Sequence, residues 1–223
     1  MRLAAISSTV FFATLATLAT SCGGTATPNP VTRPQPQEYP LAALVASRAI
    51  VTPTYALRVA PELSWSSSGS SSRDLLRAMD DDIAAALAER GLTRGWVLPA
   101  DLATSYKRNP TYASDPYALA EEPLRASSFI AGSRLTEPLA SQLRTTIALH
   151  ENARVVLAPI ELRFDRAENP PGAARATLRL ALIDPRFSEA RWVGKVQSDT
   201  ASTDPRILSR LLATRLVDLI VSR

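Results

Sequence analysis

Three acidic residues in succession, Asp80-Asp81-Asp82, are the first feature with the ingredients of a cation site. Their spacing argues against one. Successive side chains of a helix splay by about 100°, so three adjacent carboxylates cannot converge on one ion. Met79 and Ile83 fix the buried face of such a helix, so Asp81 points to water and the run reads as a solvated face. His150 is the only histidine and Cys22 the only cysteine, so zinc would find no second imidazole or thiolate. His150 instead follows an apolar helical stripe, where an imidazole suits the negative end of the helix dipole.

Nucleophilic and acid–base signatures are equally sparse. There is no Gly-x-Ser-x-Gly, and Thr104-Ser105-Tyr106-Lys107 has threonine where a Ser-x-x-Lys nucleophile would stand. Glu121 and Glu122 are adjacent beside Pro123, whereas a glycosidase needs two carboxylates facing each other across a bond. No glycine-rich loop is present to cradle a phosphate. The expectation is a chain with no catalytic residue, no metal site and no cofactor.

The most unusual stretch is residues 105–129, SYKRNPTYASDPYALAEEPLRASSF, within an irregular region read from Asp101 to about Ser133. Irregular chain of that length inside a compact domain is usually functional or disordered, and its tyrosines argue against disorder. Tyr106, Lys107, Tyr112, Tyr117 and Arg125 have the aromatic and arginine-rich composition of an interface, and they are the candidate partner-binding residues. The competing reading is a loop that folds over the sheet or the helices and buries its rings.

The elements that must position these residues begin after a leader. Met1-Arg2 precedes an uncharged apolar run, Leu3 to Thr20, which serines and threonines dilute. A membrane span needs roughly 20 strongly apolar residues, so the run reads as a secretory signal ending in small residues. The sequence Leu18-Ala19-Thr20-Ser21-Cys22 then resembles the lipobox of bacterial lipoproteins, with alanine at position 19 where leucine is commonest. The resemblance implies that Cys22 is thioether-linked to diacylglycerol and becomes the mature N-terminus. The absence of any other cysteine agrees, since no disulfide framework is possible. Gly23 stands where the family's sorting rules place aspartate for inner-membrane retention. That implies an outer-membrane anchor facing the periplasm, and several acyl chains hold firmly where one would not. The organisation read is a signal peptide over 1–21, a lipid anchor and proline-rich spacer over 22–40, and one globular domain over 41–223.

The chain has 223 residues with 25 basic and 21 acidic side chains, and among the basic ones only Lys107 and Lys195 are lysine. The arginines are scattered rather than clustered, so nothing marks a nucleic-acid partner. The length leaves one domain with a core of its own.

Within that domain, RAIVTPTYALRVAPEL (48–63) reads as one bulged strand or two short ones, broken at Pro53. The loop SSSGSSS (66–72) leads into a helix whose buried stripe is Leu75, Met79, Ile83 and Leu87, stopped by Gly91. GWVLP (95–99) is a short strand, and Thr136 to His150 a second helix with Leu139, Leu143 and Ile147 on one face. In ARVVLAPIELRF the alternation puts Val156, Ala158, Ile160, Leu162 and Phe164 on one side. ARATLRLALID and ARWVGKVQSD pair as an antiparallel hairpin across PRFSE, with Ala176, Leu178, Leu180 and Leu182 inward. Asp204-Pro205 opens a last helix with the stripe Leu208, Leu212, Leu216 and Leu219. About five strands and three helices make an α/β (α+β) two-layer sandwich on a mixed sheet.

That order, with LRLALIDPRFSEARWVGKV as its clearest fragment, resembles the group holding the TolB amino-terminal domain and the curli-secretion lipoprotein. In that group a strand, an aspartate-led turn and a Trp-x-Gly strand recur, here Asp184 and Trp192-Val193-Gly194. The resemblance implies an interaction or assembly domain, by analogy of fold alone. The function expected is a non-catalytic, lipid-anchored periplasmic accessory that binds an envelope protein. The alternative is a domain that binds cell-wall material or a small ligand, or hydrolyses it. An enzyme predicts a cleft with convergent polar groups, and an interaction module predicts an exposed aromatic patch.

Overall fold

The computed structural model describes residues 40–63, 65, 71–150 and 153–221. The leader, Cys22 and the proline-rich spacer lie outside the described residues. The element order is β1 (Ala49–Val51), β2 (Ala56–Val59), α1 (Ser72–Glu89), β3 (Trp96–Val97), α2 (Pro99–Arg108), α3 (Leu139–Leu149), β4 (Val155–Arg166), β5 (Ala174–Asp184), β6 (Glu189–Gln197) and α4 (Pro205–Val221). This is the mixed α/β arrangement expected, with six strands and four helices in place of about five and three.

The sheet order is β3-β1-β4-β5-β6, with β2 also on β4. β1 lies parallel to β3 and β4, and β2 parallel to β4, while β4-β5-β6 is an antiparallel meander. The segment around Pro53 is therefore two short strands that share one long partner. The break has a counterpart on that partner. Tyr55 N–H donates to the Pro159 carbonyl at 3.1 Å. The N–H and C=O of a strand residue face the same neighbour, so the donor that Pro159 lacks falls where the first edge is interrupted.

A bulge follows, with Pro159 opposite Leu180 and Glu161 opposite Arg179, so Ile160 is the extra residue. This corrects the continuous alternation read from the sequence. Val156, Ala158 and Ile160 join one core, whereas Leu162 and Phe164 join the other with Leu157. One extra residue reverses the parity of every side chain beyond it. β5 keeps its register, with Ala176, Leu178, Leu180 and Leu182 in the first core and Ala181 and Ile183 in the second.

The first core is closed by α1 and α4. Their stripes Met79, Ile83, Leu87 and Leu208, Leu212, Leu216 are all buried with the sheet leucines. Ser71 caps α1 in a reciprocal box with Asp74. Gly91, at φ +69, ends the helix, with its own N–H on the Ala88 carbonyl and that of Leu92 on the Leu87 carbonyl. At the start of α4, Asp204 Oδ1 accepts the Arg206 N–H at 2.8 Å. The second core, on the opposite face, takes Leu102 of α2, Leu139 and Leu143 of α3, and Leu119, Leu124 and Phe129 of the connection between them.

That connection is more ordered than the sequence suggests. Its first residues belong to α2, begun by Pro99 and capped where Asp101 accepts the Leu98 N–H at 3.0 Å. Two turns of 3-10 helix follow at Pro116–Ala118 and Glu122–Arg125. Arg179 of β5 ties the second turn to the sheet, donating to the carbonyls of Arg125, Ala126 and Phe129 at 2.9–3.1 Å. α3 starts at Leu139 rather than at Thr136, after Pro138.

Trp-x-Gly has a packing reason. A Cβ on Gly194 would lie 2.1 Å from Cζ2 of Trp192, so the indole occupies the space that any larger residue would fill. The aspartate-led turn is an ion cluster. Asp184 is buried and accepts from Arg186 at 2.9 Å and Arg191 at 2.6 Å.

Candidate ligand-binding cleft

At the carboxyl end of β1 the chain breaks from the sheet as Thr52-Pro53-Thr54-Tyr55 before resuming as β2. The crossover from β1 to β3 runs over one face through α1, and the crossover from β3 to β4 runs over the other through α2 and α3. Elements leaving to opposite faces open a crevice beyond the strand ends, the usual place for a ligand in an open sheet. Here the crevice is a cleft of about 490 Å³. One wall is a flank of α1, where Arg73, Leu76, Arg77 and Asp80 recur at the spacing of one helix face. Opposite stand Asp115, Pro116, Tyr117 and Glu121, and Pro53, Thr54 and Tyr55 lie between.

Asp80 corrects the solvated reading of the acidic run. Asp81 is exposed, but Asp80 is buried and Oδ1 accepts both the N–H and the hydroxyl of Thr54 at 2.7 Å. Burial outweighs those bonds, and with Asp81 nearby it pushes the carboxyl up to about 6. Asp82 faces Arg210 at 3.8 Å.

Glu121 and Glu122 likewise part company. Glu122 is exposed, and the Tyr55 hydroxyl beside it draws its carboxyl below the usual range. Glu121 is 2% exposed, and burial, reinforced by the charges of Asp80 and Glu122, pushes it up to about 8. The Thr52 side chain is the only group opposing that rise. Neither Thr52 Oγ1 nor Glu121 Oε2 has a hydrogen-bond partner of normal geometry among the described residues. Burial also raises the phenol of Tyr117, with further pressure from Asp80.

The five candidate partner-binding residues do not form one site. Tyr106 and Lys107 sit on α2, Arg125 ends the second 3-10 turn, and Tyr112 is 74% exposed on the connection. Only Tyr117, 52% exposed, lines the cleft. His150 follows α3 as its C-cap through its backbone N–H, and burial lowers its imidazole. Among the described residues no group of three or more His, Cys, Asp or Glu is placed to hold a metal, and no helix is long and apolar enough to cross a membrane.

The chain matches no protein-family model and no curated protein. It is similar to the solved structure of a PelC dodecamer from Paraburkholderia phytofirmans, at 14% identity and a TM-score of 0.39, over 80% of this chain and 92% of that one. It is also similar to the C-terminal domain of LpoB from Salmonella enterica, at 12% identity and a TM-score of 0.34, over 73% and 96%. Escherichia coli LpoB aligns at 13% identity and a TM-score of 0.34, over 86% and 83%. At these scores none of them carries a function to this chain, and the functional reading rests on the surface and the cleft.

Sequence reasoning missed Asp80, Glu121, Thr52 and Thr54. Asp80 did leave a signal, since it lies one turn beyond Leu76 on the flank of the apolar stripe. Glu121 left none, because only the folding of the connection buries it.

Proposed function

We propose that this protein is a non-catalytic binding domain of the bacterial envelope that acts on a protein partner from a lipid anchor at Cys22. On this reading it faces the periplasm from the outer membrane. The observation that carries it is the exposure of Tyr112 (74%), Tyr117 (52%) and Ile130 (61%) on a connection whose Leu119, Leu124 and Phe129 are buried. A segment held down by its own leucines, and by Arg179, has no folding reason to keep large rings in water. Exposed aromatics on a fixed backbone are what a protein interface uses. In-cell cross-linking of the tagged full chain, with Cys22 intact, tests this. An envelope protein captured in proportion, and lost when Tyr112 and Tyr117 are both replaced by alanine, is the expected result. Capture unchanged by that double substitution would remove the interface from this connection.

A second reading, hydrolysis of wall material, is favoured by the Asp80–Glu121 pair. A pKa of about 6 beside one of about 8 leaves one carboxyl ionised and the other protonated at neutral pH, the pairing that acid–base chemistry needs. Release of soluble fragments from purified wall, abolished by Asp80→Asn, would support it over the first.

A further inference from the structure

The geometry points to the cleft as a binding site for a small zwitterionic amine of the amino-acid or short-peptide class, its ammonium at Glu121 and Asp80 and its carboxylate at Arg73 and Arg77. This does not depend on the protein partner proposed above.

The inner end of the site is short of donors. Glu121 is 2% exposed and Thr52 is fully buried, yet Glu121 Oε2 and Thr52 Oγ1 have only each other among the described residues, and not at normal hydrogen-bond geometry. A buried polar atom left unpaired is costly, and native folds carry few. Among the described residues both hydrogen bonds that reach the Asp80 side chain end on Oδ1, so Thr54 leaves the other oxygen unengaged. An ammonium carries three donors and a positive charge. It is the group that would satisfy several of these oxygens together and offset the cost of ionising two carboxyls away from water. A neutral hydroxyl would bring one donor and no charge.

The outer end has the opposite character. Arg73 and Arg77 are exposed, one turn apart on the same flank of α1, and neither forms an ion pair among the described residues. Guanidinium groups are suited to bind a carboxylate through paired N–H bonds. Between the two ends Leu76, Pro116 and the Tyr117 ring supply apolar wall, and about 490 Å³ lies within the range of small-molecule sites.

Titration calorimetry on the full chain in detergent, with alanyl-alanine as probe, tests the proposal. n-Butylamine, propionate and N-acetylglucosamine serve as amine-only, acid-only and neutral comparators. The dipeptide is expected to bind at least tenfold more tightly than any comparator. Glu121→Gln, which keeps the shape of the side chain, is expected to weaken it at least tenfold. Arg77→Ala, at an exposed position, is expected to weaken the dipeptide several-fold while leaving n-butylamine unchanged. Melting curves show whether each variant folds, and Arg77→Ala decides the matter if Glu121→Gln does not. No dipeptide binding at 10 mM, equal binding of n-butylamine, preference for the sugar, or a dipeptide affinity that folded variants leave intact would each overturn it.

Discussion

Thr54 and Asp80 join the interrupted edge of the sheet to the middle of α1, with hydroxyl and backbone N–H of the threonine both 2.7 Å from the same carboxylate oxygen. Asp80 is thereby fixed at the cleft rather than merely tolerated under the helix. Thr54→Val keeps the shape and removes one donor. The loss expected is about 1.5–3 kcal/mol in urea unfolding, the usual worth of a hydrogen bond to a charged group, while the backbone N–H still reaches the carboxylate. Thr54→Ser should retain most of the stability.

The two buried carboxyls give the domain an alkaline weakness. Asp80 and Glu121 titrate in the fold at about 6 and about 8, above their unfolded values. A raised acid binds more protons folded than unfolded, so stability falls as pH climbs from the unfolded pKa to the folded one. The unfolding free energy should therefore decline from about pH 4.5 to pH 8 and level off above. Glu121→Gln should flatten the upper part of that slope and stabilise the protein at pH 8 by about 1–3 kcal/mol. Urea titrations at four pH values would read both effects.

Asp184 sets the opposite limit. Burial works to raise it, but the bonds and charges of Arg186 and Arg191 prevail and hold it below the usual carboxylate range. A lowered acid contributes stability that is present above its unfolded pKa and is lost as pH falls through the folded one. Acid unfolding should begin below about pH 4, and Asp184→Ala, which removes both ion pairs but leaves two half-exposed arginines that water can solvate, should cost about 1–3 kcal/mol at neutral pH.

Gly194→Ala should force the Trp192 indole off the sheet, since the added carbon falls 2.1 Å from the ring. Overpacking of this kind costs about 1–3 kcal/mol, and a shift in tryptophan emission should accompany it. Trp192→Leu in the same chain should recover part of the loss, which a plain glycine-to-alanine backbone effect would not allow.

Arg179→Ala removes the three bonds to the carbonyls of Arg125, Ala126 and Phe129. Amide exchange over residues 122–130 should then speed up at least tenfold while β5 itself stays protected.

Local rules made much of the fold legible. The stripes of α1 and α4, the Ser71 and Gly91 ends of α1, the Asp204-Pro205 start of α4 and the β5–β6 hairpin all follow from spacing and capping chemistry within a few residues. What stayed hidden is non-local. The bulge at Ile160 depends on a proline facing a gap in another strand, so the alternation in β4 read as unbroken. α2 was lost because Pro99 looked like the end of a strand, when it is the first residue of a helix capped by Asp101. Among the cleft residues, periodicity placed Asp81 in water correctly but not Asp80, whose burial needs Thr54 from 26 residues earlier. Tyr117 was singled out for its type, and the structure sets it beside two carboxyls that its own neighbourhood does not announce.

β4 also fixes the order in which this chain can assemble. Its meander with β5 and β6 needs only short turns, whereas β1 and β2 meet it across more than a hundred residues, and the nearer partner of β1 is the two-residue β3. Closing so long a loop has to be repaid by contacts that exist only once β4 is in place. The amino-terminal half, cleft wall included, therefore has only the short β1–β3 pairing until the last third of the chain is available. The meander is therefore expected to form ahead of the amino-terminal strands, and a chain truncated before Val155 should lose the native sheet, as amide exchange would show.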